Sequence, residues 1–105
     1  MQIPEKQERL ARFWKKYLRL TRGRVTALRA LDLAAEEERD PGFRQVLRSI
    51  HSAVDQGTPL SEALKQHPGE FSPSITELVR TAEKTGAWDE ILVEIAEGLQ
   101  EGTFE

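Results

Sequence analysis

The chain of 105 residues contains no cysteine, which excludes disulfide bonds, thiolate metal sites and cysteine nucleophiles. It also has no run of about 18 apolar residues, so the sequence predicts no membrane-spanning helix. The first residues are mostly charged and polar, and they lack the apolar segment of a secretory signal. Together these absences favour a domain that folds in a reducing compartment such as the cytoplasm.

Glycine and proline occur at ordinary frequency, with seven and five residues, and most of them stand at the ends of apolar repeats. No segment alternates β-branched and polar residues in the way that a half-buried strand does. The hydrophobic fraction of 38% and the charged fraction of 31% are ordinary for a soluble helical domain. The length suits one domain with a modest core, so we predict a single domain over residues 1–105.

Apolar residues recur at helical spacing in six segments, which predicts an all-α fold, a six-helix antiparallel bundle. In the first helix, Leu10, Phe13, Trp14 and Tyr17 follow the spacing i, i+3, i+4, i+7. This stripe is wide enough to leave one aromatic side exposed, which would indicate a partner. The predicted helices cover about residues 5–20, 24–38, 41–55, 59–66, 73–84 and 87–100.

The ends of the first four helices are predicted from residues that break or cap helices. Gly23 is expected to break the first helix before the second begins at about residue 24. Asp40 followed by Pro41 suits the N-cap and first position of the third helix. Thr58 followed by Pro59 suits the same two positions of the fourth helix.

The fifth helix has two candidate starts, either Ser72 as N-cap or Ser74 paired with Glu77 as a capping box. Gly86 is expected to end this helix with a left-handed C-terminal cap. Glu83, in its last turn, could accept backbone N–H bonds at the start of the next helix, which is a structural role. A contact with a partner is the alternative role for this carboxylate.

Charge is distributed unevenly along the chain. Residues 1–30 carry nine basic and two acidic side chains, whereas residues 31–105 carry six basic and sixteen acidic ones. This division is consistent with an acidic partner or an anionic lipid surface near the first helix. It is equally consistent with attraction between the two regions inside the fold, and the sequence leaves both interpretations open.

Residues that could support catalysis or hold a cofactor are not grouped in any recognisable motif. The carboxylates have no implied desolvated partner, and neither His51 nor His67 has a second histidine or a cysteine at ligand spacing. The glycines form no phosphate-binding loop. We therefore expect no catalytic residue, no cofactor-binding residue and no cofactor, and we predict that the chain is not an enzyme.

An ordered series of short motifs runs through the second half of the chain. The motifs are Leu60-Ser61-Glu62-Ala63-Leu64, His67-Pro68, Phe71-Ser72-Pro73, Ala82-Glu83-Lys84-Thr85-Gly86, and Trp88-Asp89-Glu90-Ile91-Leu92 with Ile95-Ala96. This series resembles the cytoplasmic domain of the type II secretion system protein F family, which includes type IV pilus assembly platform proteins. The resemblance covers about residues 12–99. It departs from the family pattern at Ala82, where the family has a glycine before the glutamate.

The resemblance implies a mechanical role rather than a chemical one. It implies a platform at the base of a growing filament, on the cytoplasmic face of the inner membrane, whose cytoplasmic domains meet the assembly ATPase. The module would be non-catalytic and would couple that ATPase to pilin assembly. Other inner-membrane assembly components, an anionic membrane surface and a second copy of the domain are further candidate partners.

Two groups of charged residues are the candidates for these contacts. The basic residues of the first helix would face an acidic ATPase surface or anionic lipid, and the acidic residues of the sixth helix would meet a second copy or another subunit. The basic group is Arg12, Lys15, Lys16, Arg19 and Arg22, and the acidic group is Glu90, Glu94, Glu97 and Glu101.

The resemblance also raises the question of calcium, because some family members hold this ion with acidic residues one turn apart on the last helix. The aligned position of the first acidic residue is Val93 here, and only Glu97 is retained. Glu90 and Glu94 could substitute, but a solvated acidic helix face is the simpler interpretation. We predict no metal site.

Two other classes of function remain as alternatives. One is a free-standing soluble helical adaptor. The less favoured one is a small nucleic-acid-binding domain, whose phosphate contacts would come from Lys15, Lys16, Arg19, Arg22 and Arg24. The core spacing of the aromatic residues in the same helix and the acidic remainder of the chain argue against nucleic acid.

Overall fold

The computed structural model describes residues 5–102, and most of these residues lie in six α-helices. No strand occurs in this part of the chain, so the all-α prediction is confirmed. The predicted boundaries agree with the observed ones to within about three residues, as is usual for helix ends. The helices are α1 (Glu5–Arg22), α2 (Ala27–Glu37), α3 (Pro41–Asp55), α4 (Leu60–Lys65), α5 (Pro73–Thr85) and α6 (Trp88–Glu101).

The helices form a ring in which each one packs against the next in the chain, and α6 returns to pack against α1. The α1–α6 contact is the most extensive of the six. These two helices are antiparallel, because Arg22 at the end of α1 lies 3.9 Å from Asp89 at the start of α6. At the other end, Ala11 and Lys15 share a shallow pocket with Gln100.

Five aromatic residues occupy the centre of this ring. Phe13, Trp14 and Tyr17 of α1 pack against Phe43 of α3 and Phe71 of the α4–α5 connection. The closest rings are those of Phe13 and Trp14, edge to face with centroids 4.9 Å apart, and such pairs add about 0.5–1.5 kcal/mol to the burial term. Trp14 and Tyr17 are buried, at 0% and 3% exposure, so these two rings form no exposed aromatic patch.

Side-chain caps define the starts of α2, α3 and α5. Asp40 accepts hydrogen bonds from the backbone N–H groups of Gly42 and Phe43, as predicted. Of the two candidate starts for α5, Ser72 is correct, because its hydroxyl accepts from the Ile75 N–H. The prediction missed Thr26, which caps α2 and moves its start to Ala27.

The start of α4 differs from the prediction. Its N-cap residue is Pro59, which makes no side-chain cap hydrogen bond, and Thr58 does not cap it. Thr58 instead closes the preceding helix by donating its N–H to the Ala53 carbonyl at 3.0 Å. Gly57, with a φ of 101°, makes this reversal possible because glycine carries no Cβ.

The first helix ends at Arg22, directly before Gly23, as predicted. The left-handed residue of the turn that follows is Arg24, with a φ of 69°. The N–H of Arg24 donates to the Thr21 carbonyl, and the N–H of Val25 donates to the Leu20 carbonyl. This pair of bonds is a Schellman motif, whose left-handed position usually carries glycine.

None of the six helices of the described residues combines the length and the apolar character needed to cross a bilayer.

Candidate functional site

Four exposed basic residues of α1 form what we call the basic stripe: Arg12, Lys15, Arg19 and Arg22. Their spacing of three, four and three residues places them along one side of the helix. The opposite side is held by the aromatic core, so the stripe faces solvent. Arg12, Lys15 and Arg19 make no ion pair with any residue from 5 to 102, and Arg22 makes only the long contact with Asp89.

Lys16 belonged to the same predicted group, but the structure gives it a different environment. Its side chain is half-buried and pairs with the Glu37 carboxylate of α2. The hydrogen bond and the charge of Lys16 lower the pKa of Glu37 below its ordinary value. Lys16 therefore connects two helices and lies outside the basic stripe.

Four exposed acidic residues of α6 form a second line, the acidic stripe: Glu90, Glu94, Glu97 and Glu101. They lie opposite the buried residues Leu92, Ile95 and Leu99 of the same helix. Within the described chain, none of the four takes part in an ion pair or a side-chain hydrogen bond. The structure thus places all four predicted acidic residues together on one solvent-exposed face.

The distribution of ion pairs bears on the two interpretations of the uneven charge. Four basic residues of the first thirty have internal partners: Lys16 pairs with Glu37, Arg29 with Asp32, Arg9 with Asp40 and Glu70, and Arg22 more distantly with Asp89. Arg12, Lys15 and Arg19 of the basic stripe, like Lys6 and Arg24, have no ion pair with any described residue. Each of the two interpretations therefore accounts for some of these residues.

Arg9 is a structural residue that the sequence analysis missed. Its guanidinium reaches Asp40 at 3.1 Å and Glu70 at 2.9 Å, and it lies over the Phe43 ring at 5.0 Å. Only 15% of its side chain is exposed. No local pattern could have identified it, because the two carboxylates are 31 and 61 residues away along the chain.

Glu83 has the structural role that was predicted, but on a different helix. One carboxylate oxygen accepts the Ser61 N–H at 2.9 Å, and the other accepts the Ser61 hydroxyl at 2.6 Å. Ser61 lies in the first turn of α4, so Glu83 caps α4 and not α6. This explains how α4 can begin at a proline without a capping side chain of its own.

Tyr17 and Glu83 line a groove of about 500 Å³ between the ends of several helices, together with Val25, Leu60 and Trp88. Burial, and secondarily the negative charge of Glu83, raise the pKa of Tyr17 to about 12. The phenol therefore stays neutral near pH 7 and is a poor base or nucleophile. Both oxygens of Glu83 are already hydrogen-bonded to Ser61, so the groove brings together no reactive pair.

The histidines and carboxylates of the described residues do not form a metal-binding cluster. No group of three or more of these side chains comes together in a way that could hold an ion. His67 lies 3.2 Å from the Ser49 hydroxyl, and Val93 is half-buried beside the acidic stripe. Among the described residues, the two exposed charged stripes are therefore the surfaces best suited to binding another macromolecule.

Comparison with known proteins supports the resemblance found in the motifs. The family model described as "Type II secretion system (T2SS), protein F" matches residues 13–103. The chain belongs to the type II secretion system protein F family. The match extends from the aromatic residues of α1 past the end of α6, and so includes the acidic stripe and all of the basic stripe except Arg12.

Individual relatives agree with this assignment. Type IV pilus assembly protein PilC of Myxococcus xanthus is 31% identical over 84 residues, 80% of this chain and 20% of that protein. The protein transport protein HofC homolog of Escherichia coli is 37% identical over 80 residues, 76% of this chain and 20% of that protein. Type II secretion system protein F of Xanthomonas campestris is 33% identical over 72 residues, 69% and 18% of the two chains. The chain therefore spans about a fifth of the length of these relatives.

Proposed function

We propose that this chain is a cytoplasmic domain of an inner-membrane platform protein in a type II secretion or type IV pilus system, and that it contacts the assembly ATPase. Family membership supports this role, as do the names of relatives that act in pilus assembly and protein transport. The role is non-catalytic, in keeping with a domain whose described residues bring no reactive pair together.

The observation that carries the proposal is the basic stripe. Three exposed cations, Arg12, Lys15 and Arg19, stand on one helix without ion-pair partners in the described chain. Unpaired surface charge of one sign steers a partner of opposite charge and favours its association. The partner that we propose is an acidic surface of the ATPase.

The position of α1 in the fold suits the transmission of force. Its inner face carries Phe13, Trp14 and Tyr17, which are locked in the aromatic centre. Arg9 ties the same helix to the start of α3 and to the α4–α5 connection. Because protein cores are close-packed, a force applied to the basic stripe moves the whole bundle rather than detaching α1 from it.

The test is a charge reversal of the basic stripe, R12E/K15E/R19E. We expect this variant to bind the ATPase of the same assembly system at least about tenfold more weakly, because attraction becomes repulsion. Binding is measured by surface plasmon resonance and helix content by circular dichroism. Lys16 is left unchanged, since its pairing with Glu37 would confound the result.

The matched control reverses three exposed cations away from the basic stripe, in the variant R44E/K65E/K84E, and so changes the net charge equally. Binding that survives reversal of the stripe, or that both variants lose equally, would contradict the proposal. If the stripe variant keeps the ATPase but loses anionic vesicles, the partner of the stripe is lipid.

A further inference from the structure

The groove of about 500 Å³ beside the end of α1 has walls that are mostly apolar. Val25, Leu60 and Trp88 belong to these walls, and Val25 and Trp88 are only half-buried in the domain. The volume falls within the range of about 300–1,000 Å³ that is usual for ligand sites. The fold therefore leaves apolar side chains partly uncovered in a concave surface that is large enough to hold a ligand.

The charge inside this groove has one sign. Its described lining contains two carboxylates, those of Glu83 and Asp89, and no basic side chain. Glu83 makes no ion pair with any described residue, and its two oxygens keep free lone pairs beyond their bonds to Ser61. Arg22 approaches Asp89 only at 3.9 Å, and both side chains are more than half exposed, so this contact is weak. A cationic group in the groove would therefore meet negative charge that the fold leaves largely uncompensated.

Tyr17 adds a hydrogen-bond donor that the fold does not use. The residue lines the groove and is 3% exposed, yet its hydroxyl makes no hydrogen bond within the described chain. Buried polar groups usually have a partner, because a hydrogen bond left unmade costs free energy. Burial raises the pKa of Tyr17, so the phenol keeps its proton near neutral pH. The hydroxyl is therefore available to donate to a carbonyl oxygen of a ligand.

We propose that this groove binds a segment of a partner protein in which an arginine stands between two large apolar residues. The guanidinium pairs with the carboxylates of Glu83 and Asp89. The apolar neighbours of the arginine cover Val25 and Trp88, and the Tyr17 hydroxyl donates to a backbone carbonyl of the segment. This inference goes beyond the ATPase contact of the basic stripe and does not depend on it.

Arginine fits the groove better than lysine, because the aromatic side chains of Tyr17 and Trp88 line it together with the carboxylates. A guanidinium is planar, stacks on aromatic rings and is more weakly hydrated than an ammonium group. It also reaches a carboxylate through two parallel N–H bonds. Arginine side chains surrounded by apolar contacts are among those that commonly dominate the affinity of protein interfaces.

The probe is a tripeptide of leucine, arginine and leucine with blocked ends, titrated into the isotope-labelled chain and followed by NMR chemical shifts. We expect shifts at the indole N–H of Trp88 and at the backbone of Val25 and Leu60, with a dissociation constant below about 5 mM. The control peptide carries citrulline in place of arginine, which keeps the shape of the side chain and removes its charge. It should bind at least about fivefold more weakly, because its side chain makes no charge-assisted hydrogen bond.

Substitutions at Ala27, an exposed residue of the groove wall, test the charge argument in opposite directions. Ala27→Lys adds a positive charge and should weaken binding of the arginine peptide at least about fivefold, whereas Ala27→Glu should strengthen it. Ala27→Gln separates the effect of charge from that of size. If Ala27→Lys fails to fold by circular dichroism, Asp89→Asn removes one carboxylate at an exposed position and should weaken binding in the same way.

Three outcomes would overturn the proposal: groove residues that do not shift with about 10 mM peptide, equal affinities for the arginine and citrulline peptides, or equal affinities of the Lys and Glu variants. The variant R12E/K15E/R19E distinguishes this proposal from the ATPase contact. It keeps every described residue of the groove wall, so it should bind the arginine peptide as the wild type does even where it loses the ATPase.

Discussion

Tyr17 shows how burial changes the chemistry of one side chain. The residue is 3% exposed at the end of the aromatic cluster and faces Glu83 across the groove. Burial disfavours the phenolate form by removing its solvation, and Glu83 disfavours it by charge repulsion. The phenol is therefore part of the core and contributes through packing.

We expect Tyr17 to ionise at about pH 12 in the folded protein, against an ordinary value of 10.0. The pKa of Tyr17 is higher in the folded protein than in the unfolded chain. The contribution of this residue to the free energy of unfolding is therefore complete below pH 10 and is lost as the pH rises through 12. Tyr17 is the only tyrosine, so tyrosinate absorbance reports it alone. Ionisation near pH 10 while circular dichroism still shows a folded chain would contradict the expectation. The chain in denaturant is the control.

Arg24 adopts a conformation that its side chain disfavours. A left-handed backbone costs an L-residue about 1–2 kcal/mol relative to a right-handed one, and glycine avoids most of that cost. The chain has a glycine next to this position, at Gly23, where the backbone φ is not left-handed. The strain at Arg24 is therefore a local feature that one substitution can relieve.

We expect Arg24→Gly to raise the free energy of unfolding by about 0.5–1 kcal/mol, after allowing for the greater entropy of glycine in the unfolded chain. Urea denaturation provides the measurement. Gly23→Ala is the control and should change stability little, since its Cβ would meet the Leu20 carbonyl at an acceptable 3.4 Å. A loss of stability in the Arg24→Gly variant would contradict the backbone strain that we infer at Arg24.

At the scale of the helix, α4 depends on a residue outside itself. This helix has six residues, and its N-cap residue, Pro59, makes no side-chain cap bond. Glu83 on α5 accepts the capping hydrogen bonds instead. Such a short helix is not stable in isolation, because nucleation is costly and few backbone bonds repay it. Its formation is therefore coupled to the docking of α5.

We expect Glu83→Ala to lower the free energy of unfolding by about 1–3 kcal/mol, because the buried N–H and hydroxyl of Ser61 lose their acceptors. The loss is measured by urea denaturation, and hydrogen exchange should show the largest loss of protection in α4. Lys84→Ala, one residue along and exposed, should change stability by less than about 0.5 kcal/mol. Equal effects of the two substitutions would argue against the capping role.

In the molecule as a whole, closure of the ring sets the exposed surface. The packing of α6 upon α1 buries the apolar sides of both helices and turns their charged sides outward. Arg9 supports this closure by holding α1 to segments far along the chain. The ATPase contact that we propose belongs to this scale, since the closed ring fixes which side of α1 faces solvent.

Local patterns determined the helices of this protein and most of their ends. Amphipathic spacing and the capping residues Asp40 and Ser72 act within one or two turns, so they can be read directly along the chain. The same reasoning placed the two charged stripes, because a stripe depends only on spacing within one helix. It failed at Thr58, whose backbone N–H closes the preceding helix instead of its side chain capping the next one.

Contacts between distant segments required the folded structure. The burial of Trp14, the capping of α4 by Glu83 and the ion pairs of Arg9 and Lys16 all depend on which helices become neighbours. That choice is made by packing over the whole core, to which every helix contributes at once, and no local pattern encodes it. The sequence could therefore predict that two charged stripes exist. Only the closed ring places the helices that carry them side by side and antiparallel.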